Sequence, residues 1–260
     1  MPDNLELTPL HTVDNLAVAL EQDGFAYMPS VLTADEVAAL RDHIDALQPN
    51  PDSFDRITDT DKHIKTVFNQ DQHFLKYLDM EPVASVAEQT MGEDCHIIGM
   101  TAWTTRPKRP DQRLHVDYLP FELPEELLLS GVVKTPIFVA TAHYYLDDIT
   151  EALGPTKFIP GSHLAGRKPG PEDLTWQDTK EKSLICDAGD CVLFRSDVWH
   201  RGSANTSDET RYLLQVHYGQ RMITQKFPPY LRFRFNEAIL ALATPRQRRF
   251  LGEHRKANYD

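Results

Sequence analysis

Cysteine is scarce in this chain: 3 of its 260 residues, Cys95, Cys186 and Cys191. Their spacing matches no zinc site, and an odd count cannot close a disulfide framework. Cys186 and Cys191 flank a predicted turn at Asp187-Ala188-Gly189-Asp190, and two small buried apolar residues are a better reading there than a redox pair. No basic-then-apolar leader opens Met1-Pro2-Asp3-Asn4-Leu5-Glu6, which predicts a reducing, cytoplasmic setting. No apolar run approaches the roughly 20 residues of a membrane span, so no membrane partner is expected. Positive charge is also short: 27 Lys and Arg against 39 Asp and Glu leave −12, which argues against a general nucleic-acid surface. That acidity fits cationic or zwitterionic substrates, and plain solubility accounts for it equally well. Internal repeats and low-complexity segments are absent.

What remains is ordinary for a globular chain, 41% hydrophobic and 25% charged, long enough for one good-sized core and with nothing to demand a second domain. Helical periodicity predicts helices at about 13–22, 33–47, 72–79 and 81–91, with a short strand at Phe25-Ala26-Tyr27-Met28 and a surface loop from Gln48 to Asp61. From about residue 94 strand patterns take over, at about 94–105, 135–146, 183–187, 190–195 and 211–220. A short helix after Pro124, a polar loop at 164–182 and a helical ending from Pro229 to Glu253 complete the pattern. The expected fold is mainly β: a double-stranded β-helix (a cupin-like jelly roll) of about 93–222, buttressed by a helical part of about 1–92 and helices of about 228–253.

Two widely separated segments carry the chemistry. The first is His115-Val116-Asp117, and the second runs from Trp199-His200 to Arg211. Two histidines and a carboxylate with open positions form the facial triad of non-haem iron(II) oxygenases. An arginine on the strand that follows would take a distant carboxylate as a bidentate pair.

A second H-x-D at His43-Ile44-Asp45 serves as an internal control. It lies in a stretch opened by a capping box, Thr33 with Glu36, and reads as helix. Residues two apart on a helix diverge by roughly 200°, so His43 and Asp45 cannot hold one ion. His115 and Asp117 follow a β-rich run broken by Pro107 and Pro110, where positions i and i+2 share a face.

The order of motifs resembles the phytanoyl-CoA dioxygenase family of iron(II)- and 2-oxoglutarate-dependent oxygenases. The resemblance runs through Asp23-Gly24-Phe25, Leu114-His115-Val116-Asp117-Tyr118, Gly154-Pro155-Thr156 to Pro160-Gly161-Ser162-His163, and Gly189-Asp190 to His200 and Arg211. It implies iron(II) held by His115, Asp117 and His200, with 2-oxoglutarate and dioxygen as co-substrates and Arg211 on the far carboxylate. It further implies 2-oxoglutarate contacts from the strand before His115. Counting back from Pro107 turns Met100, Ala102 and Thr104 inward, with Thr104 the best donor. Lys65 stands close to a lysine that contacts 2-oxoglutarate in some relatives. Where many relatives carry serine two residues after the second histidine, this chain has Gly202, and Ser203 comes next.

His143 replaces a tryptophan common among relatives, and alternation puts Thr141, His143 and Tyr145 on one face. A contact to a co-substrate or substrate carboxylate and a core histidine bonded to backbone are both open there. His163 is expected to stabilise a loop, and His217 to share the strand face of Arg211. The substrate-pocket candidates are Tyr118, Phe121, Tyr145 and His143, with loops 48–62 and 164–182 as lids. The implied activity oxidises a small molecule, hydroxylating it by default, in secondary metabolism. Alternatives are a metal-dependent jelly-roll enzyme that does not use 2-oxoglutarate, and a non-catalytic binding protein on the same scaffold. The oligomeric state is left open.

Overall fold

Seven residues decide which way the centre of the protein faces. In the computed structural model, which describes residues 3–50, 53–227 and 231–256, the strand β5 (Val139–Tyr145) is buried along its whole length. Its Ala140, Ala142 and Tyr144 turn to one side and Thr141, His143 and Tyr145 to the other, as strand alternation requires. The apolar side packs on helices; the polar side lines a cavity.

The other strands in chain order are β1 (Phe25–Met28), β2 (Arg56–Ile57), β3 (Asp61–Lys65) and β4 (His96–Thr105) before it. After it come β6 (Thr156–Phe158), β7 (Thr175–Trp176), β8 (Thr179–Lys180), β9 (Lys182–Ser183), β10 (Cys191–Arg195), β11 (His200–Gly202) and β12 (Arg211–Gly219). The main sheet is antiparallel, in the order β1-β10-β5-β12-β4-β3-β2, and a smaller sheet runs β11-β6-β9. Helices α1 (Val13–Gln22), α2 (Ala34–Ala46) and α3 (Val83–Met91) cover the outer face of the main sheet. There Leu16, Leu20, Leu40, Ile44 and Val86 meet Met28, Leu193, Leu214 and Val216. Burying each such side chain is worth about 1.5–3 kcal/mol, which is what holds the helices down. On the inner face Phe158 of β6 packs edge-on against Phe194 of β10, ring centroids 5.1 Å apart, and joins the small sheet to the large one. This is the expected double-stranded β-helix architecture with its helical buttress.

Three local expectations are corrected. The segment from Gln48 to Asp61 is not all loop: Arg56–Ile57 pairs with Lys62–His63 and extends the main sheet, so the sheet draws strands from the helical first third. The expected strand at 183–187 shrinks to Lys182–Ser183, and the strands β6 and β11 were not predicted. The ending forms two short helices, α5 (Glu237–Leu240) and α6 (Pro245–Phe250), and α4 (Glu125–Leu129) follows Pro124 as predicted. Pro51 and Asp52 of the first loop and Pro229 near the end lie outside the described residues. Among the described residues no helix is long and apolar enough to cross a membrane. The three cysteines are separate buried thiols.

The turn between Cys186 and Cys191 is tied down by Asp190. Its carboxylate accepts from Tyr27 Oη at 2.6 Å, the Ser30 amide at 2.8 Å and the Asp187 amide at 3.0 Å. Gly189 sits there at φ +97°, where a Cβ would fall 2.4 Å from the Leu32 carbonyl oxygen, so only glycine fits.

Candidate active site

After β4 the chain breaks at Pro107 and Pro110 and runs back along β11. Gln112 donates its amide to Gly202 O at 2.9 Å, and His115 and His200 exchange both backbone bonds at 3.0 Å. Asp117 donates its amide to Ser196 O at 2.9 Å, just past β10. These backbone bonds bring the two motifs of the sequence together. Asp117 Oδ1 lies 3.7 Å from His115 Nε2, and Asp117 Oδ2 lies 3.6 Å from His200 Nε2. One donor atom from each of the three residues falls within 4.8 Å of the others, the only such group among the described residues.

The tautomers follow from the neighbours. His115 Nδ1 is 2.8 Å from Arg113 O, and His200 Nδ1 is 2.9 Å from Val198 O. A carbonyl can only accept, so each Nδ1 carries the proton and each Nε2 offers a lone pair to the centre. Burial pushes the pKa of His200 down and keeps it neutral, as a ligand must be. Burial acts to raise the pKa of Asp117, but His200, His217 and His115 around it outweigh that effect and hold the carboxyl below its ordinary range. The donor set therefore fits a divalent metal with half of its positions open. By contrast, His43 lies on helix α2 with its Nδ1 2.5 Å from Asp71 Oδ2, while Asp45 accepts from Tyr212 Oη at 2.9 Å. The control motif is split, as helical geometry demands.

Behind the triad is a small recess floored by Arg211, the first residue of β12. Its guanidinium is buried. Nη1 donates to Gly154 O and Nη2 to Thr105 Oγ1 at 3.4 Å, while Nε has no hydrogen-bond partner. Among the described residues no carboxylate pairs with it, and burial lowers its pKa. A buried cation without a counter-ion is costly, so the recess fits a carboxylate-bearing ligand.

The inner wall is a chain of hydrogen bonds. Thr101 Oγ1 donates to Gln215 Oε1 at 2.8 Å, which leaves Gln215 Nε2 to donate to His143 Nε2, also at 2.8 Å. His143 must then keep its proton on Nδ1, which faces Tyr145 Oη at 3.3 Å, and Tyr145 donates onward to Thr156 Oγ1 at 3.0 Å. Full burial pushes the His143 pKa well down, in agreement with this neutral tautomer. His143 therefore faces the recess as a fixed neutral ring. Next to it, Asp61 accepts from Trp103 Nε1 at 3.0 Å and lies 3.5 Å from Arg109 Nε, which fixes two further walls.

A larger cavity of about 530 Å³ opens on the other side and shares Asp117, Trp103 and Gln215 with the recess. Tyr118, Lys65 and His217 line it. Lys65 is thus placed in this cavity and not in the Arg211 recess. His217 Nδ1 is 3.0 Å from Thr141 Oγ1, on the strand face expected from Arg211. Of the loops expected to act as lids, Asn50, Ser53 and Phe54 line the cavity, whereas 164–182 borders an outer groove with Arg113 and Leu114.

Six expected positions are corrected. Met100, Ala102 and Thr104 do not turn inward: Met100 and Ala102 pack among the helix-facing core, and Thr104 shares their side with its Oγ1 unpartnered. Thr101, Trp103 and Thr105 face the site instead, because a one-residue slip exchanges the two faces of a strand. Ser203 points away, its Oγ donating to Pro155 O at 2.6 Å. Gly202 lies at the recess, where an added Cβ would fall 2.9 Å from Gln112 Oε1, the acceptor of its own amide. Tyr145 is buried against Thr156 at the recess and does not line the larger cavity. Phe121 is half-exposed and packs edge-on against Phe138, ring centroids 5.7 Å apart, outside the cavity lining. Sequence reading missed Gln112, Trp103, Arg109, Thr156 and Gln215. Of these, Gln215 was reachable by counting two residues at a time from Arg211.

Comparison with known proteins adds three findings. The family profile of phytanoyl-CoA dioxygenase (PhyH) matches residues 20–213. The chain is 29% identical over 226 residues to "Dioxygenase ALT11" of Alternaria alternata, covering 79% of this chain and 71% of that protein. It is 23% identical over 251 residues to the uncharacterized protein Rv1501 of Mycobacterium tuberculosis, covering 93% and 87%. Among solved structures, the epimerase SnoN in complex with Fe3+, alpha ketoglutarate and nogalamycin RO superposes with a TM-score of 0.64 at 19% identity, over 80% of this chain and 84% of that one. HygX of Streptomyces hygroscopicus with nickel, 2-oxoglutarate and hygromycin B bound gives 0.63 at 14% identity, over 85% and 95%. At these identities the two structures establish a shared fold.

Proposed function

This chain belongs to the phytanoyl-CoA dioxygenase family, and from that premise we propose that it is an iron(II)- and 2-oxoglutarate-dependent oxygenase of small-molecule secondary metabolism. His115, Asp117 and His200 are the metal ligands, and Arg211 anchors the far carboxylate of 2-oxoglutarate. The observation that carries this reading is the juxtaposition of two Nε2 lone pairs and a carboxylate with a buried arginine that has no carboxylate partner among the described residues. Iron(II) held by His115, Asp117 and His200 would supply dioxygen activation coupled to oxidative decarboxylation of 2-oxoglutarate to succinate and carbon dioxide, with oxidation of the substrate.

The protein's own part is positioning and exclusion of water. The Arg113 and Val198 carbonyls lock both histidine rings, and the His115–His200 backbone pair sets their separation. Arg211 fixes the depth of the co-substrate, and the neutral His143, held by Gln215, gives the recess a hydrogen-bonding wall without adding charge. Asp117 and Trp103 line both cavities, so an ion held by Asp117 would be reached from the recess and from the larger cavity alike. Hydroxylation is the default outcome; desaturation, demethylation or cyclisation depends on which bond the cavity presents. Ligands of the similarly folded proteins, nogalamycin RO and hygromycin B, support a small molecule as substrate. Three unpaired buried thiols support a cytoplasmic setting. A metal enzyme that dispensed with 2-oxoglutarate would leave Arg211 without a role.

The test is succinate formation by the iron-loaded protein in a metabolite screen. Iron(II) should support 2-oxoglutarate turnover and zinc should not, with at least one metabolite accelerating it. A folded, iron-loaded protein that never consumes 2-oxoglutarate would contradict the proposal.

A further inference from the structure

The larger cavity carries charge of the opposite sign to the chain around it. The protein has a net charge of −12, yet among the described residues Lys65, Lys226, Arg232 and Arg234 line this cavity and Asp117 is the one carboxylate in that lining. Asp117 is committed to the metal under the proposed function. The histidines do not alter the balance, since burial pushes His63 down to about 4 and His217 to about 3.

Two of these cations have their backbones fixed at the wall, the Lys65 side chain half-buried and that of Lys226 exposed. Lys65 ends β3 opposite Thr101 of β4, and Lys226 is pinned beside β4 by its amide, which donates to Ile98 O at 2.8 Å. Asp55 accepts from the Lys65 backbone amide at 2.7 Å, and the Lys65 ammonium lies over the Phe54 ring, 5.7 Å from its centroid. Among the described residues neither lysine ammonium is in an ion pair with a carboxylate. The same cavity is lined by Tyr118, Phe227 and Phe233, which offer aromatic surface. Coulomb attraction is stronger at the half-buried Lys65 than in open water.

We infer that the substrate is a compact molecule with an apolar or aromatic body and one oxyanion group, which Lys65 and Lys226 bind. This rests on the oxygenase reading only in naming this cavity the substrate's. The volume of about 530 Å³ suits a single small metabolite. The net charge, which fits cationic or zwitterionic substrates and plain solubility alike, does not decide this: the local field, not the total, selects the ligand.

The probe is 1-anilinonaphthalene-8-sulfonate, compared with N-phenyl-1-naphthylamine, which has the same aromatic body without the anion. Binding is read by fluorescence on the full chain without iron. The wild type should bind the sulfonate at least tenfold more tightly than the neutral compound. Lys65→Met with Lys226→Met should remove that preference, leave the neutral compound unchanged, and keep the anaerobic iron(II)–2-oxoglutarate absorption band. The exposed single variant Lys226→Gln should weaken sulfonate binding several-fold if the double variant does not fold. Equal affinity for the two probes, or unchanged sulfonate binding in the variants, overturns the inference. So does loss of the absorption band in the double variant alone, because the lysines would then serve the co-substrate. Absence of the band in the wild type would instead count against the oxygenase reading and leave the anion result standing.

Discussion

His115 and His200 face each other across one antiparallel bridge, each backbone amide donating to the other's carbonyl at 3.0 Å. Their ring centroids are 4.5 Å apart, and both Nε2 atoms point at Asp117. The spacing of the two imidazole rings is thus set by main-chain hydrogen bonds and their orientation by the Arg113 and Val198 carbonyls.

Arg211 supplies the first prediction. Arg211→Lys keeps the charge but loses the fork that a carboxylate needs. A charge-assisted bond is worth about 1.5–3 kcal/mol, so the 2-oxoglutarate requirement should rise roughly 10- to 100-fold. Iron affinity should change far less. Titration of succinate formation against 2-oxoglutarate checks this, and equal curves for the two proteins would remove Arg211 from the role.

The His143 side chain should matter for coupling and not for acidity. Its pKa is pushed well down by burial, so it stays neutral across the physiological range. His143→Phe should keep the pH profile and the metal, free Gln215 to reorient, and raise succinate release relative to oxidised product. A flattened pH profile near 6.5, histidine's ordinary value, would show that the ring titrates after all.

His163 links burial to acid stability. It is buried away from the metal site, and desolvation pushes its pKa down to about 4. Its folded pKa is depressed below the unfolded value of about 6.5. The unfolded chain therefore binds more protons below pH 6.5, and the contribution, intact above that pH, is lost as pH falls toward 4. Urea midpoints for wild type and His163→Asn should diverge between pH 7 and 4.5, the wild type losing on the order of 2 kcal/mol more. Parallel pH dependence would contradict the assignment.

The control motif gives a negative prediction. His43→Ala with Asp45→Ala removes contacts to Asp71 and Tyr212 and should cost modest stability. Iron binding and 2-oxoglutarate turnover by the folded double variant should match wild type. Loss of iron there would undo the reading of α2.

The metal triad was legible because H-x-D binds a metal on extended backbone but not on a helix, and the chain offered one motif of each kind. The face of β4 was not. Both its sides are buried, one under helices and one in the site, so no polar–apolar alternation marks which is which. Strands β6 and β11 are three residues each, too short to show a period, yet β11 carries His200. Lys65 was noticed, but only the folded chain shows which cavity it enters.

The most direct measurement is the visible absorption of the protein with iron(II) and 2-oxoglutarate under strict exclusion of oxygen. Wild type should show the weak charge-transfer band of a 2-oxoglutarate chelate, and His115→Ala, Asp117→Ala and His200→Ala should each lose it while remaining folded. Retention of the band by all three variants would contradict the ligand set and, with it, the account of the site.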